Sequence, residues 1–158
     1  MLGKESGKGT RGGVNLQYNP TDYLANNIDG ELITPEIREE GVLSILQFAV
    51  QTQCLDQTVF QAVHLADNYL RYNPSCKPAF IRLIYAMSLE ISIKMNENTV
   101  LALSDIEQLF EYRFNQEMLI NLERHILSLN NFRVNMATPL DFVLNFAYLE
   151  EEILTTNG

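Results

Sequence analysis

From Pro20 onward, apolar residues recur at three- and four-residue steps, and the residues between these runs are ones that start and stop helices. Thr21-Asp22 predicts a short helix to about Asn27, closed by Asp29-Gly30. Thr34-Pro35-Glu36-Ile37 combines a capping hydroxyl, a first-turn proline and an acid. It predicts a helix to about Gln53 with Val42, Leu43, Ile45, Leu46, Ala49 and Val50 on one broad face. Asp56 is expected to cap the next helix, where Val59, Phe60, Val63, Ala66 and Leu70 repeat until Asn73-Pro74 ends it. Lys77-Pro78 predicts the start of a third helix reaching about Asn98. It is apolar on almost all sides through Phe80, Ile81, Leu83, Ile84, Met87, Leu89, Ile91 and Ile93, the pattern of a central buried helix. Ser104-Asp105 predicts a fourth with Ile106, Leu109 and Phe110. Asn115 opens a fifth with Met118, Leu119, Leu122, Ile126, Leu127 and Leu129, stopped by Asn130-Asn131. A last helix follows Thr138-Pro139 and carries Phe142, Val143, Phe146 and Leu149, with fraying expected in Glu150-Glu151-Glu152. No hairpin signal or sustained strand alternation competes with this all-α reading.

At 158 residues and 18.1 kDa the chain suits one domain with a real core. Its 11 basic and 20 acidic residues give a net charge of -9 and a pI near 4.6, which repels a phosphate backbone. The basic residues Lys4, Lys8 and Arg11 lie in a glycine-rich opening segment with one acid, so residues 1–19 are expected to be a flexible tail and the remaining body is more acidic still. Residues 20–33 are expected to hold the short helix and a linker. Nucleic acid is accordingly not an expected partner. The longest apolar stretch, Phe80 to Ile93, is broken by Arg82 and Glu90 and is too short to span a bilayer. The opening residues lack the apolar core of a signal peptide, so the expected location is cytoplasm or nucleus.

Enzyme chemistry finds no foothold in the pattern. Cys54 and Cys76 form no CxxC pair, and His64 and His125 form no HExxH motif. Gly7-Lys8-Gly9-Thr10 is not a phosphate loop, because no strand precedes it and no helix follows. No catalytic residue, cofactor, metal or small-molecule ligand is expected. Periodicity alone fits a helical adaptor, a regulatory subunit or a small-ligand bundle equally well.

Three segments narrow that choice. They are LDQTVFQAVHLADNYL from Leu55 to Leu70, LIYAMSLEISIKMNE from Leu83 to Glu97, and MLINLERHILSLNNFRVNMATPLDFV from Met118 to Val143. In content, order and spacing they resemble the cyclin box, over Thr34 to Phe146. The resemblance implies a five-helix bundle around a buried central helix, spanning residues 34–150, with a short N-terminal helix before it, a C-terminal helix, and frayed residues 151–158. It also implies a non-catalytic regulatory subunit that forms a heterodimer with a cyclin-dependent kinase and pushes the kinase αC helix inward, so that a catalytic Lys–Glu pair forms.

In that family a lysine of the third helix and a glutamate of the fifth hydrogen-bond the kinase main chain, and Lys94 and Glu123 stand at the matching positions. Ile91, Met95, Leu127, Phe132 and Val134 match the surrounding apolar pocket, with Arg124 beside Glu123. Read without the resemblance, Lys94 is an exposed i,i+4 partner of Glu90, Glu123 and Arg124 are solvated helix surface, and Ile91 and Met95 suit a core as well as an interface. Arg38 and Asp67 match an internal salt bridge of the family, a structural role.

The chain also departs from the family. Glu39-Glu40-Gly41-Val42-Leu43 stands where a Met-Arg-Ala-Ile-Leu stretch is usual, so a hydrophobic substrate-docking patch is not expected. Asn68 follows Asp67 in place of an arginine, and Ala137 replaces a proline. Because no second box follows within these residues, a single-box or divergent form is expected. Two further functions fit such a box: a scaffold that binds a partner without activating a kinase, and a DNA-binding cyclin fold. The acidic body disfavours the second.

Overall fold

The computed structural model describes residues 33–110 and 113–156. The expected N-terminal tail and the short helix at Thr21–Asn27 lie outside the described residues. Six α-helices and one 3-10 turn, with no strand among the described residues, make up the fold. α1 (Pro35–Thr52) starts as its sequence dictates: Thr34 Oγ1 accepts the Ile37 amide at 3.3 Å and Pro35 occupies the first turn. It ends on Gln53, whose left-handed backbone (φ 54°) turns the chain.

α2 (Asp56–Tyr72) begins where expected but is not capped by Asp56. Leu55 holds the cap position and has no side-chain oxygen. The acceptor comes instead from the far end of the third helix, where Glu97 Oε1 takes the Leu55 amide at 2.9 Å. Lys77-Pro78 opens a 3-10 turn, Pro78–Phe80, and α3 proper is Ile81–Asn96, two residues short of the predicted end. α4 (Leu103–Phe110) starts one residue before the predicted cap, because Asp105 lies inside its first turn and reaches back to the Ala102 amide at 2.9 Å. α5 (Gln116–Leu129) is capped by Asn115, which accepts the Glu117 amide at 2.9 Å. Thr138 and Asp141 bond reciprocally across the first turn of α6 (Pro139–Thr156). The backbone hydrogen bond from Thr138, then its hydroxyl, holds the Asp141 carboxyl below its ordinary pKa. α6 stays helical through the three glutamates to Thr156.

α3 is the centre. Ile81 and every residue from Leu83 to Ile93 are buried, as an all-round apolar helix requires. α1 and α2 cover two of its sides and α5 a third. Gly41 permits the α1 contact, since a Cβ there would stand 2.7 Å from Tyr85 Cε2 and 2.8 Å from Ile81 Cγ2. α6 contacts α2 and leaves Phe142, Val143, Leu144, Phe146, Tyr148 and Leu149 exposed.

Candidate partner-binding site

α3 leaves the bundle at its last turn, so Ile93 is the last buried residue and Lys94 and Met95 emerge beside α5. α5 is held in register by polar contacts, one of them fully buried, that its amphipathic pattern does not announce. Asn68 donates to Asn130 Oδ1 at 2.7 Å, and Asn130 Nδ2 donates back to the Ile126 carbonyl at 2.8 Å. The Tyr69 hydroxyl lies 3.2 Å from His125 Nδ1, with the rings edge to face at 5.3 Å. The asparagine that departs from the family pattern thus ties α2 to the end of α5. Buried polar contacts of this kind fix register because they are costly when unmet.

This register brings Lys94 and Glu123 together. Lys94 Nζ donates to Glu123 Oε1 at 2.9 Å and also pairs with Glu90 Oε1 one turn earlier on its own helix. The i,i+4 pair therefore forms, but it is not a surface pair, since only 6% of Glu90 is exposed. Partial burial pulls the Lys94 pKa down, while hydrogen bonds and charges from Glu90 and Glu123 outweigh it and raise it above the ordinary value. Burial pushes the Glu90 carboxyl up, with Lys94 opposing and Glu123 adding to the rise. The ammonium stays charged and is held between two carboxylates.

Around this pair Met95 is 54% exposed, Leu127 is half-buried and Arg124 is exposed. Phe132 is 71% exposed in a left-handed backbone (φ 56°), and its amide donates to the Leu127 carbonyl at 2.8 Å. A bulky residue rarely adopts that conformation, and such strain concentrates at functional positions. Ile91 and Val134 differ from expectation. Both lie in the hydrophobic core, and neither presents side-chain surface to a partner. Ile91 faces inward from the centre of α3, and the Val134 backbone is held by Gln61, whose amide donates to its carbonyl and accepts from Asn96. Helical spacing does not distinguish the inward side of a helix that is apolar all round.

Arg38 and Asp67 join α1 to α2 by two parallel bonds, Nε to Oδ1 at 2.8 Å and Nη2 to Oδ2 at 2.7 Å. Tyr85 of α3 donates its hydroxyl to the same Asp67 Oδ1 at 2.7 Å, so three helices meet on one carboxylate. Beside α1, a groove of about 450 Å³ is bordered by Glu36, Glu39, Glu40, Leu43, Gln47 and Arg82. Its acidic border stands in the Glu39–Leu43 region that departs from the family pattern. Among the described residues, no three His, Cys, Asp or Glu side chains cluster to hold a metal, and no helix is long and apolar enough to cross a membrane.

The family model "Cyclin, N-terminal domain" matches residues 14–135. Cyclin-D2-1 of Oryza sativa subsp. japonica is 28% identical over 138 residues, 85% of this chain and 45% of that protein. Cyclin-B1-5 of the same organism is 20% identical over 131 residues, 83% of this chain and 28% of that protein. G2/mitotic-specific cyclin-B3 of Mus musculus is 26% identical over 121 residues, 76% of this chain and 9% of that protein. The chain spans less than half the length of these relatives.

Proposed function

Because the chain belongs to the cyclin family, we propose that it is a non-catalytic subunit that binds a cyclin-dependent protein kinase and activates it by packing against the kinase αC helix. The observation that carries this reading is the Lys94–Glu123 pair, with Nζ 2.9 Å from Oε1 and Met95 and Phe132 exposed nearby. Lysine offers three N–H donors and glutamate four lone-pair sites, so each keeps capacity for a partner's main chain after bonding the other. Met95 supplies an adaptable apolar contact and Phe132 a large one. Val134 and Ile91 support these contacts from behind, and Arg124 and Leu127 extend them along α5. Action in the cytoplasm or nucleus follows from the kinase partner.

A kinase assay tests the reading. The chain is mixed with a panel of cyclin-dependent kinases, with Lys94→Ala/Glu123→Ala as control. Activation that the double variant loses is the expected result. Absence of binding across the panel overturns it.

The acidic groove beside α1 favours a second reading, a cyclin-fold scaffold that binds a partner without activating a kinase. Stable binding with no rise in phosphorylation would select that reading.

A further inference from the structure

Glu90 lies in the apolar middle of α3, between the buried Leu89 and Ile91. One oxygen, Oε1, pairs with Lys94 Nζ. The other, Oε2, is buried and has no hydrogen-bond partner among the described residues. A half-satisfied carboxylate in a core is costly, and replacing such a group by an apolar side chain of similar volume is often neutral or stabilising. The fold therefore has little use for Glu90. Among the described residues, its one polar side-chain contact is with Lys94, whose ammonium it shares with Glu123. Two of the three ammonium donors are thereby fixed, and the third is left for a group outside the domain. With 39% of the Lys94 side chain exposed, that donor is within reach of solvent or a partner.

We propose that Glu90 is a positioning residue for partner binding: its buried carboxylate holds Lys94 against Glu123, so that the ammonium meets a main-chain carbonyl of a protein partner already oriented. This rests on the reading of Lys94 and Glu123 as docking residues. Glu90 does not touch the partner. Its contribution is the ordering of a flexible four-carbon side chain before association rather than during it. The charged groups acting on Glu90 are Lys94 on its own helix and Glu123 on α5. Because burial makes the carboxyl take up a proton at higher pH than an ordinary glutamate, its hold on Lys94 weakens sooner as pH falls.

The test uses the full chain and the variants Glu90→Leu, Glu90→Gln and Lys94→Ala. In the free protein, NMR of the Lys94 side-chain ammonium should show an ordered, slowly exchanging group in the wild type, a mobile one in Glu90→Leu and an intermediate one in Glu90→Gln, which keeps an acceptor oxygen but no charge. An unchanged ammonium signal overturns the proposal whether or not any kinase binds. With a kinase that binds the wild type, Glu90→Leu should melt at the same or a higher temperature yet bind about tenfold more weakly. As pH is lowered, the wild type should lose affinity more steeply than either Glu90 variant. If Glu90→Leu and Glu90→Gln bind as tightly as wild type while Lys94→Ala is impaired, the positioning role is wrong and the docking reading stands. If Lys94→Ala itself binds normally, the docking reading fails and takes the proposal with it.

Discussion

Thr58 donates its hydroxyl at 2.6 Å to Glu97 Oε1, so the residue that ends α3 closes the first turn of α2. The same oxygen takes the Leu55 amide, and Thr58 is fully buried. Glu97→Ala removes a helix cap and leaves a buried hydroxyl without its acceptor. The expected loss is about 2 kcal/mol, measured by urea unfolding, with Glu97→Gln losing less because it keeps an acceptor oxygen. Equal stability of Glu97→Ala and wild type would refute the cap.

The Asp67 side chain is 3% exposed, whereas that of Arg38 is 26% exposed. Arg38→Ala takes the guanidinium away from a buried carboxylate that also accepts from Tyr85, and about 3 kcal/mol should be lost. Arg38→Ala/Asp67→Asn should recover part of that, since the stranded charge is gone. A double-mutant cycle on melting or urea midpoints decides it.

Gly41→Ala drives a methyl group into the Tyr85 ring and Ile81. The ring cannot swing aside freely, because its hydroxyl is bonded to Asp67. A loss of about 2 kcal/mol is expected, read from the urea midpoint, and Gly41→Ala/Tyr85→Leu should show less additional loss than the two changes summed. Full additivity would show that the two sites do not press on one another.

Burial holds His64 below its ordinary pKa of 6.5, with the Asp67 charge opposing. The unfolded chain then binds a proton first as pH falls. The stability from this group is present above about pH 6.5 and is lost as pH drops toward the folded value. The difference in unfolding free energy between wild type and His64→Phe should therefore shift against the wild type from about pH 7.5 to about pH 5.5. A difference that is flat with pH would contradict this.

Helix order was readable because each start carries its own chemistry: Thr34-Pro35, Asn115 and Thr138-Pro139 act on amides within their own first turn. The α2 cap was not, because Glu97 lies at the end of another helix, and a local rule assigns the task to the nearest acid, Asp56. Lys77-Pro78 marks a true start, but proline fixes the backbone angle and not the kind of helix that follows. In the site, family spacing pointed to Lys94 and Glu123, which do meet. It also pointed to Ile91 and Val134, which the core absorbs. Glu90 shows the limit most plainly. Its four-residue offset from Lys94 is the signature of a surface pair, and burial is a property of the packed bundle that offset alone does not encode.

The placement of α3 between the two helices that precede it bears on how the chain is made. During synthesis α1 and α2 leave the ribosome first, so the buried central helix emerges next to surfaces already able to receive it. Its main contacts, with α1 and α2, can then close before the rest of the chain has been made. The side that meets α5 waits for later residues. The order of helices along the chain thus limits the time for which the apolar faces of the central helix are open to aggregation.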